Sequence, residues 1–298
     1  MLTQDYGKKT AGLYGFRRYR VLHDDLMAKL AHMDNYTHGK IGEIIMSQYK
    51  PPFTITDKIS RLKSQIIKHE KHAAGFHVTP QMLHKAHIQN AHSTLAIEGS
   101  PLTLAEVRDI IEGNDISCTP TEMRRIKNAY DAYHLLDPYH PPEPYGPTAI
   151  MHAHSVFMAG LAKDAGHFRT GEAPLQTRGI STPSAKLMPR YINNLLDWVK
   201  TSNEHPLIKS SVFHYEIMTA KPFRVGNGLV ARLWQILFLY LWSMPLRLPL
   251  AGYLYERRQE YFDTLAISDK AEGSTEFLEF ILQAIKDAVV AFDNAATL

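Results

Sequence analysis

Apolar residues recur at helical spacing along most of the chain. Between Ile55 and Ile67 they follow the i, i+3, i+4 rule, which predicts a helix with one buried face. Thr103 with Glu106 and Thr119 with Glu122 have the spacing of a capping box at the start of a helix. The pattern therefore predicts a sequence of amphipathic helices with defined starts.

Further helices are predicted over six segments of the second half of the chain. They are Thr148 to Lys163, Ala185 to Lys200, Pro206 to Thr219, Gly228 to Trp242, Tyr253 to Ile267 and Thr275 to Phe292. Evidence for strands is confined to a candidate hairpin between Phe168 and Thr182, where glycines and a proline interrupt the helical pattern. The predicted fold class is all-α, with one small β-hairpin.

Composition is typical of a folded globular protein. The 298 residues are 45% hydrophobic and 21% charged, enough for one large domain with its own core. The one cysteine, Cys118, excludes an intrachain disulfide and fits a reducing compartment. Residues 1 to 10 are polar and the longest apolar stretch is far shorter than the ~20 residues of a membrane span. We therefore expect a cytoplasmic protein without a membrane partner.

The charge pattern gives little support for nucleic-acid or metal binding. The formal net charge is +3, and Arg17, Arg18 and Arg20 form one short basic run, better explained as a solvated turn. The 16 histidines form no HExxH motif, so most are expected on the surface or in the core. We expect no nucleic-acid partner and no protein metal site.

The segment with the strongest chemical pattern is Ala220 to Leu233, AKPFRVGNGLVARL. Glycines flank Asn227, and Gly228 opens a strongly apolar helix. Free N–H groups at a helix start attract anions, and Arg232 lies one turn inside the helix. These residues alone fit either a phosphate cradle or an ordinary turn before a helix.

This segment resembles the signature of the Fic family, H-x-F-x-[DE]-G-N-G-R-x-x-R, and the likeness extends over residues 51 to 295. Residues 93–99, STLAIEG, are similar to the family's inhibitory helix motif, [ST]-x-x-x-E-[GN]. The resemblance implies a helical bundle with a flap at about 169–182. It also implies a helical extension at 1–90, and a core at 91–298 that contains the inhibitory-type helix at 91–99 and the motif at 221–232.

In active Fic enzymes the motif histidine removes a proton from a Ser, Thr or Tyr hydroxyl of a target protein. The hydroxyl then attacks the α-phosphate of ATP, and AMP is transferred. Here Lys221 stands at the histidine position, Val225 at the acidic Mg²⁺-binding position and Leu229 at the first arginine position. The remaining motif residues are present: Phe223, Gly226, Asn227, Gly228 and Arg232.

The three substitutions fall on the chemical positions. A lysine is protonated at neutral pH and cannot accept a proton, and loss of a general base costs ~10²–10⁴ in rate. Valine offers no oxygen to Mg²⁺, and leucine cannot neutralise phosphate charge. The sequence therefore predicts an impaired AMP transferase or a pseudoenzyme. ATP or phosphate would bind at Gly226, Asn227, Gly228 and Arg232, and Mg²⁺ would lack its protein ligand.

Two alternatives remain open from the sequence. One is an active transferase whose altered chemistry is centred on Lys221, since desolvated lysines can be nucleophilic. The other is a structural or protein-interaction remnant. Thr94 and Glu98 are the predicted regulatory residues, and a Glu98–Arg232 pair would be either a regulatory latch or a structural ion pair. The target protein is not specified, and self-association is compatible with the resemblance.

Overall fold

The computed structural model describes residues 49–73, 79–136, 143–171, 182–242 and 248–296. Within these ranges the regular structure is helical and no β-strand occurs. The helices are α1 Asp57–Ala73, α2 Pro80–Ile97, α3 Leu104–Glu112, α4 Pro120–His134, α5 Pro147–Phe157, α6 Met188–Thr201, α7 Pro206–Ala220, α8 Asn227–Trp242, α9 Leu250–Glu256, α10 Arg258–Lys270 and α11 Thr275–Ala296. A 3₁₀ turn, Ala185–Leu187, precedes α6.

Helices α7 and α8 form the centre of the bundle. They pack against each other more extensively than any other pair of helices, and α8 is buried continuously from Gly228 to Leu239. A helix that is apolar on all sides belongs in a core, so the motif sequence lies in the core of the described bundle. Around this pair, α1 packs on α11, and α2 packs on α4 and α9. The loop that joins α7 to α8 is therefore anchored at both ends.

Of the two predicted capping boxes, the structure contains one in full and the other in part. Thr103 and Glu106 form a complete capping box at α3, as predicted. At α4, Thr119 accepts the Glu122 N–H, but the Glu122 carboxylate accepts from Ser100 Oγ and binds Arg125. The reciprocal half of the second capping box is thus replaced by contacts to other residues.

Two helix predictions differ from the structure in their ends. Helix α5 ends at Phe157 and does not continue to residue 163, because Asn128 Nδ2 donates to the carbonyls of Phe157 and Ala159 at its C-terminus. The single helix predicted from Tyr253 to Ile267 is two helices, α9 and α10, separated at Arg257. The break allows Arg257 to pair with Asp287 of α11, and Arg258 Nε to donate to the carbonyl of Ile97 at 2.7 Å.

Some predictions lie outside the described residues. The candidate hairpin falls largely on residues 172–181, and the basic run at 17–20 lies in residues 1–48. The division into residues 1–90 and 91–298 also stays a prediction. Among the residues that the structure does describe, no helix has the length and apolarity needed to cross a bilayer.

Candidate functional site

The loop between α7 and α8 is closed by backbone conformation and by one amide side chain. Lys221 ends α7 in the left-handed region, at φ 48° and ψ 62°, and its N–H donates to the Ile217 carbonyl at 3.1 Å. The Asn227 amide accepts from the Phe223 N–H at 2.9 Å and donates to the Phe223 carbonyl at 2.8 Å. Asn227 therefore serves as a brace for the loop, a role additional to the phosphate binding predicted for it.

His154 of α5 supports the loop from the core side. Its ring stacks on Phe223 with centroids 3.8 Å apart, and Nε2 lies 3.0 Å from the Val225 carbonyl. The Gly166 N–H donates to Nδ1, so Nδ1 is unprotonated and Nε2–H is the donor to Val225. Burial lowers the pKa of His154, which keeps the ring in this neutral form. Acidification would remove the acceptor at Nδ1.

Arg169 ties the same loop to the start of the flap segment. Its side chain is buried, and Nε donates to the Lys221 carbonyl at 2.8 Å. Further donations reach the carbonyls of Gly171 and Pro183, while its backbone N–H donates to the Pro222 carbonyl at 2.9 Å. The positive charge of Arg169 also interacts favourably with the dipole of α7, because it lies beside the carbonyls at the C-terminus of this helix.

Neither His154 nor Arg169 belongs to the motif on which the sequence analysis concentrated. The sequence offers no spacing that separates the role of His154 from that of the other histidines, and Arg169 stands at the start of the predicted flap. The role of His154 depends on a contact between distant segments, so periodicity and motifs could not indicate it.

Arg232 is the buried cation of the site, with 1% of its surface exposed. Its Nε donates to Thr94 Oγ1 at 2.6 Å, and Nη2 donates to the Thr94 carbonyl at 3.2 Å and to Glu98 Oε1 at 2.7 Å. Nη1 has no hydrogen-bond partner among the described residues. Burial alone would lower the pKa of Arg232, but the Glu98 carboxylate, helped by Tyr261, raises it. The guanidinium is thus a fixed positive charge with one unused donor group.

Glu98 lies at the end of α2, directly over the start of α8. Gly99 adopts φ +88°, and the bonds from Gly99 N–H to Ala96 O and from Ser100 N–H to Leu95 O form a Schellman cap. A Cβ built on Gly228 would lie 2.5 Å from Glu98 Oε1 and 2.9 Å from Arg232 Nη1. Glycine at 228 is therefore required for this close approach, and the carboxylate occupies the position where a helix N-terminus attracts an anion.

The ion pair is buried on one side only. The Arg232 side chain is 1% exposed, whereas that of Glu98 is 35% exposed and faces the cleft. If Glu98 moves away, Arg232 keeps its two bonds to Thr94 and remains in place. The arginine is therefore held by Thr94 independently of Glu98, whereas the carboxylate is partly accessible from the cleft.

A cleft of about 400 Å³ opens beside this pair. Its lining includes Glu98, Lys221, Gly226, Asn227, Gly228 and Asp269. All the predicted site residues except Arg232 and Thr94 thus line the cleft, and these two are buried and joined to it through the Arg232–Glu98 contact. At the substituted positions, Lys221 is half-buried in the lining, Val225 is 45% exposed and Leu229 is buried.

The residues present do not fit a divalent cation. Val225 stands at the acidic position, the Glu98 carboxylate is bound by Arg232, and Asp269 Oδ1 accepts from the hydroxyls of Tyr215 and Thr219. Across the described ranges, no group of three histidine, cysteine or acidic residues could hold a metal ion. Each lining carboxylate thus has one oxygen engaged, and the position that would supply the acidic ligand presents no side-chain oxygen of the kind that Mg²⁺ prefers.

His214 does not take the place of the missing motif histidine. It is fully buried beside α8, with Nδ1 2.6 Å from Gln235 Oε1 and Nε2 2.9 Å from the Tyr261 hydroxyl. Burial lowers its pKa to about 3, and it is absent from the lining of the cleft. The ring is a neutral core group.

Comparison with known proteins agrees with this architecture of an all-α bundle and a glycine-bearing loop before its central helix. The model of the Fic/DOC family matches residues 144–239. The crystal structure of a Fic family protein from Desulfovibrio desulfuricans is 32% identical, with a TM-score of 0.76, and the match covers 84% of this chain and 78% of that one. The chain therefore belongs to the Fic/DOC family.

A second relative has a named activity. Protein adenylyltransferase fic-1 of Caenorhabditis elegans is 25% identical over 203 residues, which is 63% of this chain and 38% of that protein. Residues 134–508 of Fic-1 have a solved structure with a TM-score of 0.64 at 19% identity, covering 80% of this chain and 72% of that one, a likeness of fold alone. The chain spans well under half of the length of this relative.

Proposed function

We propose that this chain binds a nucleotide or phosphate at the start of α8 and that its adenylyl transfer is impaired, so that it acts as a regulatory or protein-binding member of its family. The observation that carries the binding part is the unpartnered Nη1 of buried Arg232, which lies next to Gly228 at the first turn of a 16-residue helix. An anion that displaces the Glu98 carboxylate would gain both a donor group and the helix N-terminus.

Three features of the site support the impairment. Lys221, as an ammonium, cannot remove a proton from a target hydroxyl. Val225 presents no side-chain oxygen, and Leu229 is buried and apolar, so it neutralises no phosphate charge. Electrostatic stabilisation is the main source of rate in phosphoryl transfer, so the loss of these groups together removes most of the expected catalysis.

The cleft argues against a structural remnant. In a remnant, both Val225 and Leu229 would fill the space left by the missing polar groups. Leu229 does pack into the core, but Val225 remains 45% exposed and the cleft stays open. The altered-chemistry alternative is weakened because Lys221 is only half-buried, whereas reactive lysines are typically desolvated. Ligand binding without transfer accounts best for the site.

The test is a transfer assay with α-labelled ATP on the unaltered chain, on Glu98→Gly and on a revertant that carries Lys221→His, Val225→Asp and Leu229→Arg. We expect label with the revertant alone, increased when Glu98→Gly is added. The matched control carries Val225→Asp and Leu229→Arg but keeps Lys221, and should lose the signal of the revertant. Circular dichroism checks that each variant is folded. Label on the unaltered chain or on a partner would refute the impairment.

A further inference from the structure

We infer that the anion at this site binds without a divalent cation and that Lys221 supplies the charge a metal would supply. The inference rests on the proposed nucleotide or phosphate site and names its ligand class: a polyphosphate free of Mg²⁺. It follows from two observations. The residues that line the cleft do not fit Mg²⁺, and the ammonium of Lys221 has no partner among the described residues.

Lys221 is available for a ligand. It lines the cleft together with Asn227 and Gly228, and its ammonium forms no ion pair or hydrogen bond with any residue that the structure describes. The second lining cation, Arg224, is already committed to Asp164 through two bonds of 3.0 and 3.2 Å. Lys221 is thus the cation of the lining that has no partner among the described residues. Arg232 Nη1 is a buried N–H donor that also has none.

The backbone fixes where Lys221 can reach. Its left-handed conformation turns the chain at the end of α7, and Arg169 Nε holds its carbonyl at 2.8 Å. Lys221 thus lines the same cleft as Asn227 and Gly228 of the first turn of α8. A phosphate chain along the cleft would therefore meet the helix N-terminus and Arg232 at one point and Lys221 at another.

A metal would work against these cations. A dication bound to the phosphates would stand near Lys221 and Arg232, and like charges a few ångströms apart repel strongly at low effective dielectric. Of the two lining carboxylates, the charge of Glu98 is paired with Arg232, and Asp269, whose Oδ1 accepts from two hydroxyls, is 6% exposed and so offers little access to a dication in the cleft. The metal-free polyphosphate is therefore the better complement to the site.

The test is calorimetric titration of Glu98→Gly and of the unaltered chain with ATP, once in EDTA and once with excess Mg²⁺. Tripolyphosphate is titrated in parallel, which distinguishes recognition of the phosphates from recognition of the nucleoside. We expect affinity in EDTA to equal or exceed affinity with Mg²⁺. Adding Lys221→Gln should weaken binding in EDTA about tenfold, about 1.4 kcal/mol. Lys221→Arg keeps the charge and should retain the affinity.

The matched control is Lys127→Gln, which removes the same charge from an exposed position on α4 outside the cleft. It should leave both affinities unchanged. Mg²⁺ strengthening ATP binding tenfold or more, or Lys221→Gln leaving the affinity in EDTA unchanged, would overturn the inference while the nucleotide site stands. No binding of ATP or tripolyphosphate to Glu98→Gly in either condition would overturn the site itself.

Discussion

Buried neutral histidines should make this fold sensitive to mild acid, and His87 gives the clearest test. Its ring lies between α2 and α4, and neither ring nitrogen has a hydrogen-bond partner among the described residues. Burial, reinforced by His134 and His84, lowers its pKa to about 4. Because the unfolded chain takes up the proton near pH 6.5 and the folded chain does not, stability is full above pH 6.5 and falls as the pH decreases.

The magnitude follows from linkage. With pKa values of 6.5 unfolded and about 4 folded, His87 reduces the free energy of unfolding by about 2 kcal/mol between pH 7.5 and pH 5.0. His214, with its pKa lowered to about 3, contributes about 2 kcal/mol more over the same interval. Together these are a large part of the roughly 5–15 kcal/mol that stabilises a typical domain.

The assay is urea unfolding of His87→Leu and of the unaltered chain at pH 7.5 and pH 5.0. Leucine loses no hydrogen bond at this position, so we expect no loss of stability at pH 7.5. The decrease in the free energy of unfolding on acidification should be about 2 kcal/mol smaller in the variant. His152→Gln, at an exposed position on α5, is the control and should behave like the unaltered chain. An equal decrease in His87→Leu and the unaltered chain would refute the reasoning.

Three further predictions concern the scaffold of the site and are measured by urea unfolding at pH 7.5. Gly99→Ala should lower the free energy of unfolding by about 1–2 kcal/mol, since φ is +88° there. Asn227→Ala should cost about 1–3 kcal/mol because the Phe223 amide loses both partners. Leu229→Arg should cost about 2–5 kcal/mol, with a charge placed at a 4% exposed position. A loss below 0.5 kcal/mol in any of them would contradict its argument.

The sequence predicted the helical class and most helix positions because burial of one face sets the spacing of apolar residues. It failed where tertiary contacts ended a helix early. Asn128 at the C-terminus of α5 and the paired Arg257 between α9 and α10 act across distances that local pattern does not contain. At the site, motif spacing indicated residues that line one cleft, whereas it did not indicate the support from His154 and Arg169. These side chains contact the loop from segments more than 50 residues away.

The left-handed conformation of Lys221 restricts which substitutions this position can accept. At φ 48° a β-branched residue would be strained, whereas histidine, asparagine and lysine fit with less cost. The loop itself is held by Asn227, His154 and Arg169, so an exchange at 221 changes the chemistry without changing the frame. Histidine or asparagine in place of Lys221 is therefore compatible with the backbone of the loop. The group at position 221 and the residues that hold the loop can thus change independently of each other.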